Sequence, residues 1–134
     1  MSIRDVQKFH ERFGLPLGEA DVLIGHDKAE DFRLKFLQEE LNEFDDAIIN
    51  RDRVKAFDAL LDLVYVAYGT ALFMGVSPDQ WDAGFQAVQD ANMAKIRVAS
   101  GEDSKRGSSF DVVKPAGWVG PEMQLKAILD QEKP

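Results

Sequence analysis

The stretch AFDALLDLVYVAYGTALFMGV, residues 56–76, limits the folds open to this chain more than any other. After Asp62 it is apolar on nearly every side, and a helix of that kind needs cover all round rather than along one stripe. Yet it carries Asp58 and Asp62, about one helical turn apart, beside that apolar surface. An unpaired carboxylate taken out of water costs enough that it neutralises or finds a partner. Either both aspartates face solvent, or something positive meets them inside.

The segments around it read as further helices. Ser2, with Asp5 after it, caps a first helix that runs to about Phe13, with Ile3, Val6 and Phe13 on one side and Gly14 as its stop. GLPLGEADVLIGHD is a loop punctuated by glycine and proline. From Lys28 to Asn50, Leu37, Leu41, Phe44 and Ile48 recur along one helix face. The third helix spans Arg53 to Met74, with Phe57, Leu60, Leu61, Val64, Tyr68 and Leu72 as its broad apolar face. Ser77-Pro78 opens a fourth, expected to reach Ile96. Residues 100–120, rich in Gly, Ser and Pro, read as an ordered loop or small hairpin, and Glu122 to Gln131 as a short last helix. The expectation is one all-α domain over 1–134, four-helix-bundle-like, with its core helices at about 28–98. So small a chain has few helices with which to cover the third, so a homodimer or homotetramer is expected.

Composition narrows the function. With no cysteine among 134 residues, disulfides and thiolate metal sites are excluded. The opening MSIRDVQKFHERF lacks a signal-peptide core, and the uncharged run from Leu63 to Val76 is short for a membrane span. A soluble, cytoplasmic protein with no membrane partner is expected. A net charge of −8 disfavours nucleic acid as a partner. One segment runs against that charge: Lys95, Arg97, Lys105, Arg106 and Lys114 outnumber Glu102, Asp103 and Asp111.

The acidic residues cluster by helical spacing. In FLQEELNEFDDAI, Glu40 and Glu43 sit on the shoulder of the apolar stripe, with Glu39 adjacent. Asp58 and Asp62 hold a similar place on the third helix, and no local basic residue answers Asp62. Two antiparallel helices that bring such pairs together repel unless a cation lies between, and oxygen donors favour Mg²⁺ or Mn²⁺. A di-iron site is excluded, since His10 and His26 stand outside any Glu-x-x-His pair. On the fourth helix the stripe Trp81, Phe85, Val88 continues into Asn92 and Lys95, groups suited to a polyphosphate; Lys114 can add a contact. Each has a plainer reading: a solvated acidic face, and a lysine favoured at a helix C-terminus. Gln7, Phe9 and His10 are of the kind that stack on a base and read its edge, or else pack the first helix.

EELNE, then DALLDLVYVAYGTALFMGV, then ANMAKI together resemble the MazG-like all-α nucleoside triphosphate pyrophosphohydrolases, relatives of the dimeric dUTPases and of phosphoribosyl-ATP pyrophosphohydrolase, from about Phe32 to Ile96. VVKPAGWVGPE is similar to the Lys-then-Pro tail of the phosphoribosyl-ATP branch. The resemblance implies metal ligation by Glu-x-x-Glu, matched by Glu40 and Glu43, and by Glu-x-x-Asp, whose aspartate is Asp62. The second glutamate falls at Ala59, a departure for which Asp58 is the candidate substitute. Asn92 and Lys95 match the family's phosphate-contacting Asn-x-x-Lys. The implied reaction is Mg²⁺-dependent hydrolysis of a (d)NTP to monophosphate and diphosphate by water attack at the α-phosphorus, with Glu43 and Glu39 catalytic, Glu39 as second-metal ligand or general base. A deoxynucleotide is favoured, with a purine such as dGTP as the candidate base. The alternatives are phosphoribosyl-ATP or dUTP as substrate, or a non-enzymatic acidic helical interaction protein.

Overall fold

A computed structural model describes residues 2–131. The described residues are mainly helical: α1 (Ile3–Phe13), α2 (Asp27–Ile49), α3 (Arg53–Phe73), α4 (Pro78–Met93) and α5 (Glu122–Asp130), with two-residue strands β1 (Ile96–Arg97) and β2 (Val112–Val113). The fold is all-α, as the periodicity predicts. The chain divides into two compact units near residue 81, where α4 passes from one to the other.

In the first unit, the cap at α1 forms as its sequence predicts. The Asp5 carboxylate accepts from the Ser2 N–H at 2.8 Å, and Gly14, at φ 69, ends the helix. Ile3 and Val6 pack with Ala71, Leu72 and Val76 into the buried core, which Tyr68, Met74 and Trp81 flank. Asp52 caps α3 by accepting from the Lys55 N–H at 3.0 Å. A short link joins α2 to α3, and the helices pair antiparallel, Arg33 bonding to Val66 and Thr70 while Ala47 meets Asp52 near the turn.

The seam of this pair differs from the apolar stripe expected of α2. The buried residues of α2 are Arg33, Glu40 and Ala47, spaced by two turns, while Leu41 and Ile48 are about half exposed. Opposite them α3 buries Ala59, Val66 and Gly69. Small residues bring the helix backbones close, which leaves the bulky apolar side chains on the flanks. The broad face of α3 is accordingly open: Phe57 is 64% exposed, and Leu60, Leu61 and Val64 are exposed with it. By length and composition α3 also passes as a membrane span, a third of that window being buried.

In the second unit, α4 stops at Met93 rather than near Ile96. Ala94 and Lys95 close tight turns onto Ala91 and Asn92, and Ile96 and Arg97 then extend to pair antiparallel with Val113 and Val112. The β-branched Ile96 and Val98 fit the extended chain better than a helix end. Lys95 therefore lies past the helix that its spacing suggested, at the mouth of the small hairpin.

Candidate active site

α2 and α3 bring three carboxylates together. Glu40 and Glu43 lie one turn apart on α2, Asp62 comes from α3, and one oxygen of each lies within 4.8 Å of the others. Glu40 is only 7% exposed, and its Oε2 is the one buried side-chain polar atom without a partner among the described residues. Burial pushes the Glu40 carboxyl up to about 7, helped by a hydrogen bond to Glu43 and by the charges of Glu43, Asp62 and Glu39. Burial also raises Asp62, with the charges of Asp58 and Glu43 adding to it. Every neighbour acting on Glu40 is another carboxyl group, an arrangement that is self-repelling above neutral pH.

These residues fit a hard divalent cation. The donors are all oxygens, they converge, and the orphaned Glu40 Oε2 is a buried acceptor that no group among the described residues uses. Glu39 and Asp58 are exposed and stand outside the three-residue group, though their charges are felt by Glu40 and Asp62 respectively. Ala59 is 2% exposed and sits on the buried line of α3, where a glutamate side chain would project into the helix pair.

The remaining candidates fall in different places. Gln7 Nε2 donates to the Leu17 carbonyl at 3.0 Å, and His10 Nδ1 donates to that of Pro16 at 2.6 Å, so both tie down the loop after α1. Burial lowers the His10 pKa, the Pro16 bond opposes this, and the Arg33 charge lowers it further. Phe9 is part-exposed and meets Phe13 at 4.7 Å and the edge of Tyr65 at 5.6 Å. Asn92 lies in the last turn of α4, and Lys95 and Lys114 belong with it to the second unit.

Arg33 is the residue the sequence reading passed over. It is 5% exposed, donates from Nη2 to the Val66 carbonyl at 2.9 Å and from Nε to Thr70 Oγ1 at 3.1 Å. Its guanidinium carbon lies 4.8 Å from the Phe73 ring centre and near the rings of Phe32 and Phe36. Gly69 makes room for it, since a Cβ there would come within 2.7 Å of Arg33 Nη2 and 3.0 Å of His10 Nε2. A signal was present: Arg33 stands seven residues before Glu40, two turns along the same helix face. It thereby locks the α2–α3 register on which the carboxylate cluster depends.

No curated protein matches the chain. A family model does, described as phosphoribosyl-ATP pyrophosphohydrolase, over residues 6–92, a span that runs from within α1 through nearly all of α4, holds the three carboxylates and stops short of Lys95. By that match over more than half its length, the chain belongs to the phosphoribosyl-ATP pyrophosphohydrolase family, a family of pyrophosphohydrolases.

Proposed function

We propose that this protein is a metal-dependent nucleoside triphosphate pyrophosphohydrolase that converts a (d)NTP and water to the monophosphate and diphosphate. The observation that carries the reading is the buried Glu40 Oε2, which has no partner in a cluster of three carboxylates. Glu40, Glu43 and Asp62 hold Mg²⁺, with Mn²⁺ as a substitute and Asp58 as an outer ligand. The cation supplies charge neutralisation for phosphate oxygens and a more acidic water. Glu39, exposed beside the cluster, accepts the proton of the attacking water, and Glu43 orients that water. Attack at the α-phosphorus breaks the α–β anhydride and releases diphosphate. For Asn92 and Lys95 the support is the Asn-x-x-Lys spacing; Lys114 joins them as a phosphate ligand. A deoxynucleotide is the preferred substrate, with a purine such as dGTP first in the panel. The description of the family favours phosphoribosyl-ATP as the second reading.

Phosphorus NMR of a panel of dNTPs, NTPs and phosphoribosyl-ATP tests this directly. Monophosphate and inorganic diphosphate are expected with Mg²⁺ and nothing with EDTA. Release of orthophosphate, or turnover that ignores EDTA, would overturn it.

The assembly we propose is a water-soluble cytoplasmic homodimer or homotetramer, and its support is the open apolar face of α3. A patch of that kind on a water-soluble chain marks an interaction surface. Sedimentation equilibrium at micromolar concentration is expected to give two or four chains; a monomer that stays soluble would refute the assembly.

A further inference from the structure

The hairpin of the second unit brings two lysines to the same indole ring. Ile96 pairs with Val113 and Arg97 with Val112, so Lys95 and Lys114 are the residues that flank the paired strands at one end of the hairpin. Like charges gathered there repel. No carboxylate pairs with either lysine among the described residues. What gathers them is Trp118, whose ring centre lies 5.2 Å from Lys95 Nζ and 4.8 Å from Lys114 Nζ. The face of an indole attracts ammonium groups, so one ring offsets part of the repulsion and fixes their spacing.

The ring is itself held from two sides. Its Nε1–H donates to the Ala91 carbonyl at 2.7 Å, next to Asn92. Its backbone N–H closes a turn onto the Pro115 carbonyl at 3.1 Å, with Gly117 at φ 78 as the third residue of that turn. Such a turn requires glycine there, and it folds Trp118 back over Lys114. The hairpin, the turn and the indole bond thus converge on a single outcome, two ammonium groups gathered on one indole ring, with no carboxylate of the described residues paired to either. The chemistry that matches is a pair of linked phosphoryl groups.

We propose that Trp118 is a positioning residue that gathers Lys95 and Lys114 into a clamp for the diphosphate portion of the substrate and for inorganic diphosphate. The clamp rests on the pyrophosphohydrolase reading only for the identity of the molecule that carries the diphosphate. All three residues lie beyond the span matched by the family model.

The test uses the full chain. Of the two tryptophans, Trp81 is replaced (Trp81→Phe) so that Trp118 alone emits. Titration with inorganic diphosphate in EDTA at constant ionic strength is expected to change Trp118 emission saturably. Lys95→Met and Lys114→Met should each weaken the binding about tenfold, and orthophosphate should bind about tenfold more weakly than diphosphate. By calorimetry, Trp118→Leu should weaken diphosphate binding about tenfold and Trp118→Phe should recover much of it. Unchanged affinity in Trp118→Leu, or unchanged emission at high diphosphate, would overturn the clamp. Should Trp118→Leu fail to fold, the lysine variants decide, since unchanged affinity in both overturns the proposal equally. Diphosphate binding without turnover of any nucleotide would support the clamp while sinking the hydrolase reading. Nucleotide turnover whose KM ignores Trp118→Leu would sink the clamp alone.

Discussion

Glu40→Gln is expected to destroy the activity and to stabilise the metal-free protein. Loss of an inner metal ligand should lower kcat/KM by about three orders of magnitude, equivalent to about 4 kcal/mol of transition-state stabilisation. The same change removes a charge that faces Glu43 and Asp62 with one oxygen unpartnered. At pH 8 in EDTA the melting temperature should therefore rise by about 3–6 °C, the shift that about 1 kcal/mol produces in a chain of this length. Saturating Mg²⁺ should reverse the order, since the wild type binds the cation more tightly and gains more from it. The sign with pH follows from linkage. Glu40 has a folded pKa of about 7 against an ordinary 4.5, so between those values the native state binds more protons than the unfolded one. Its contribution to stability is fully present below 4.5 and is lost as pH rises through 7. The advantage of Glu40→Gln in calorimetry should vanish at pH 4.5 and grow towards pH 8. A variant no more stable than wild type at pH 8 would mean that the cluster is not strained.

Arg33→Ala should be the most destabilising substitution in the helix pair. It removes charge-assisted bonds to Val66 and Thr70 and opens a void among Phe32, Phe36 and Phe73. A cost of about 3 kcal/mol or more is expected, read as a fall of about 10 °C or more in melting temperature. Thr70 Oγ1 also donates to the Val66 carbonyl at 2.7 Å, so that carbonyl keeps a partner when Arg33 is cut. Most of the loss therefore comes from packing and from the guanidinium plane. Arg33→Lys should recover little, because an ammonium lacks the flat face and the two-way fork. Wild-type stability in Arg33→Lys would show that charge alone matters there.

What the sequence made legible follows from the kind of signal each element carries. Helices announce themselves by caps and stops, so Ser2, Asp5, Gly14 and Ser77-Pro78 mark real boundaries. The seam between α2 and α3 was hidden for a physical reason. Apolar periodicity points to where large side chains lie, whereas this contact is set by Ala47, Ala59 and Gly69 and carries Arg33 and Glu40 at its centre. The carboxylate cluster could be read because helical spacing puts Glu40 and Glu43 on one face, and because an aspartate inside an apolar run calls for an explanation. Asp62 answers it with Glu40 and Glu43, while Asp58 remains at the exposed edge. Lys95 was misplaced on α4 because an i, i+3 spacing reads equally well one turn past a helix end. Its neighbourhood with Lys114 depends on the hairpin and on Trp118, which only the folded chain brings together.

Glu40, Glu43 and Asp62 are expected to bind a divalent cation as one site. Electron paramagnetic resonance of Mn²⁺ titrated into the full chain at pH 7.5 measures this without reference to any substrate. Saturable binding is predicted, competed by Mg²⁺, weakened about a hundredfold by Glu40→Gln, Glu43→Gln or Asp62→Asn, and far less by Asp58→Asn. Binding that is absent, or that survives all three of the inner substitutions unchanged, would contradict it.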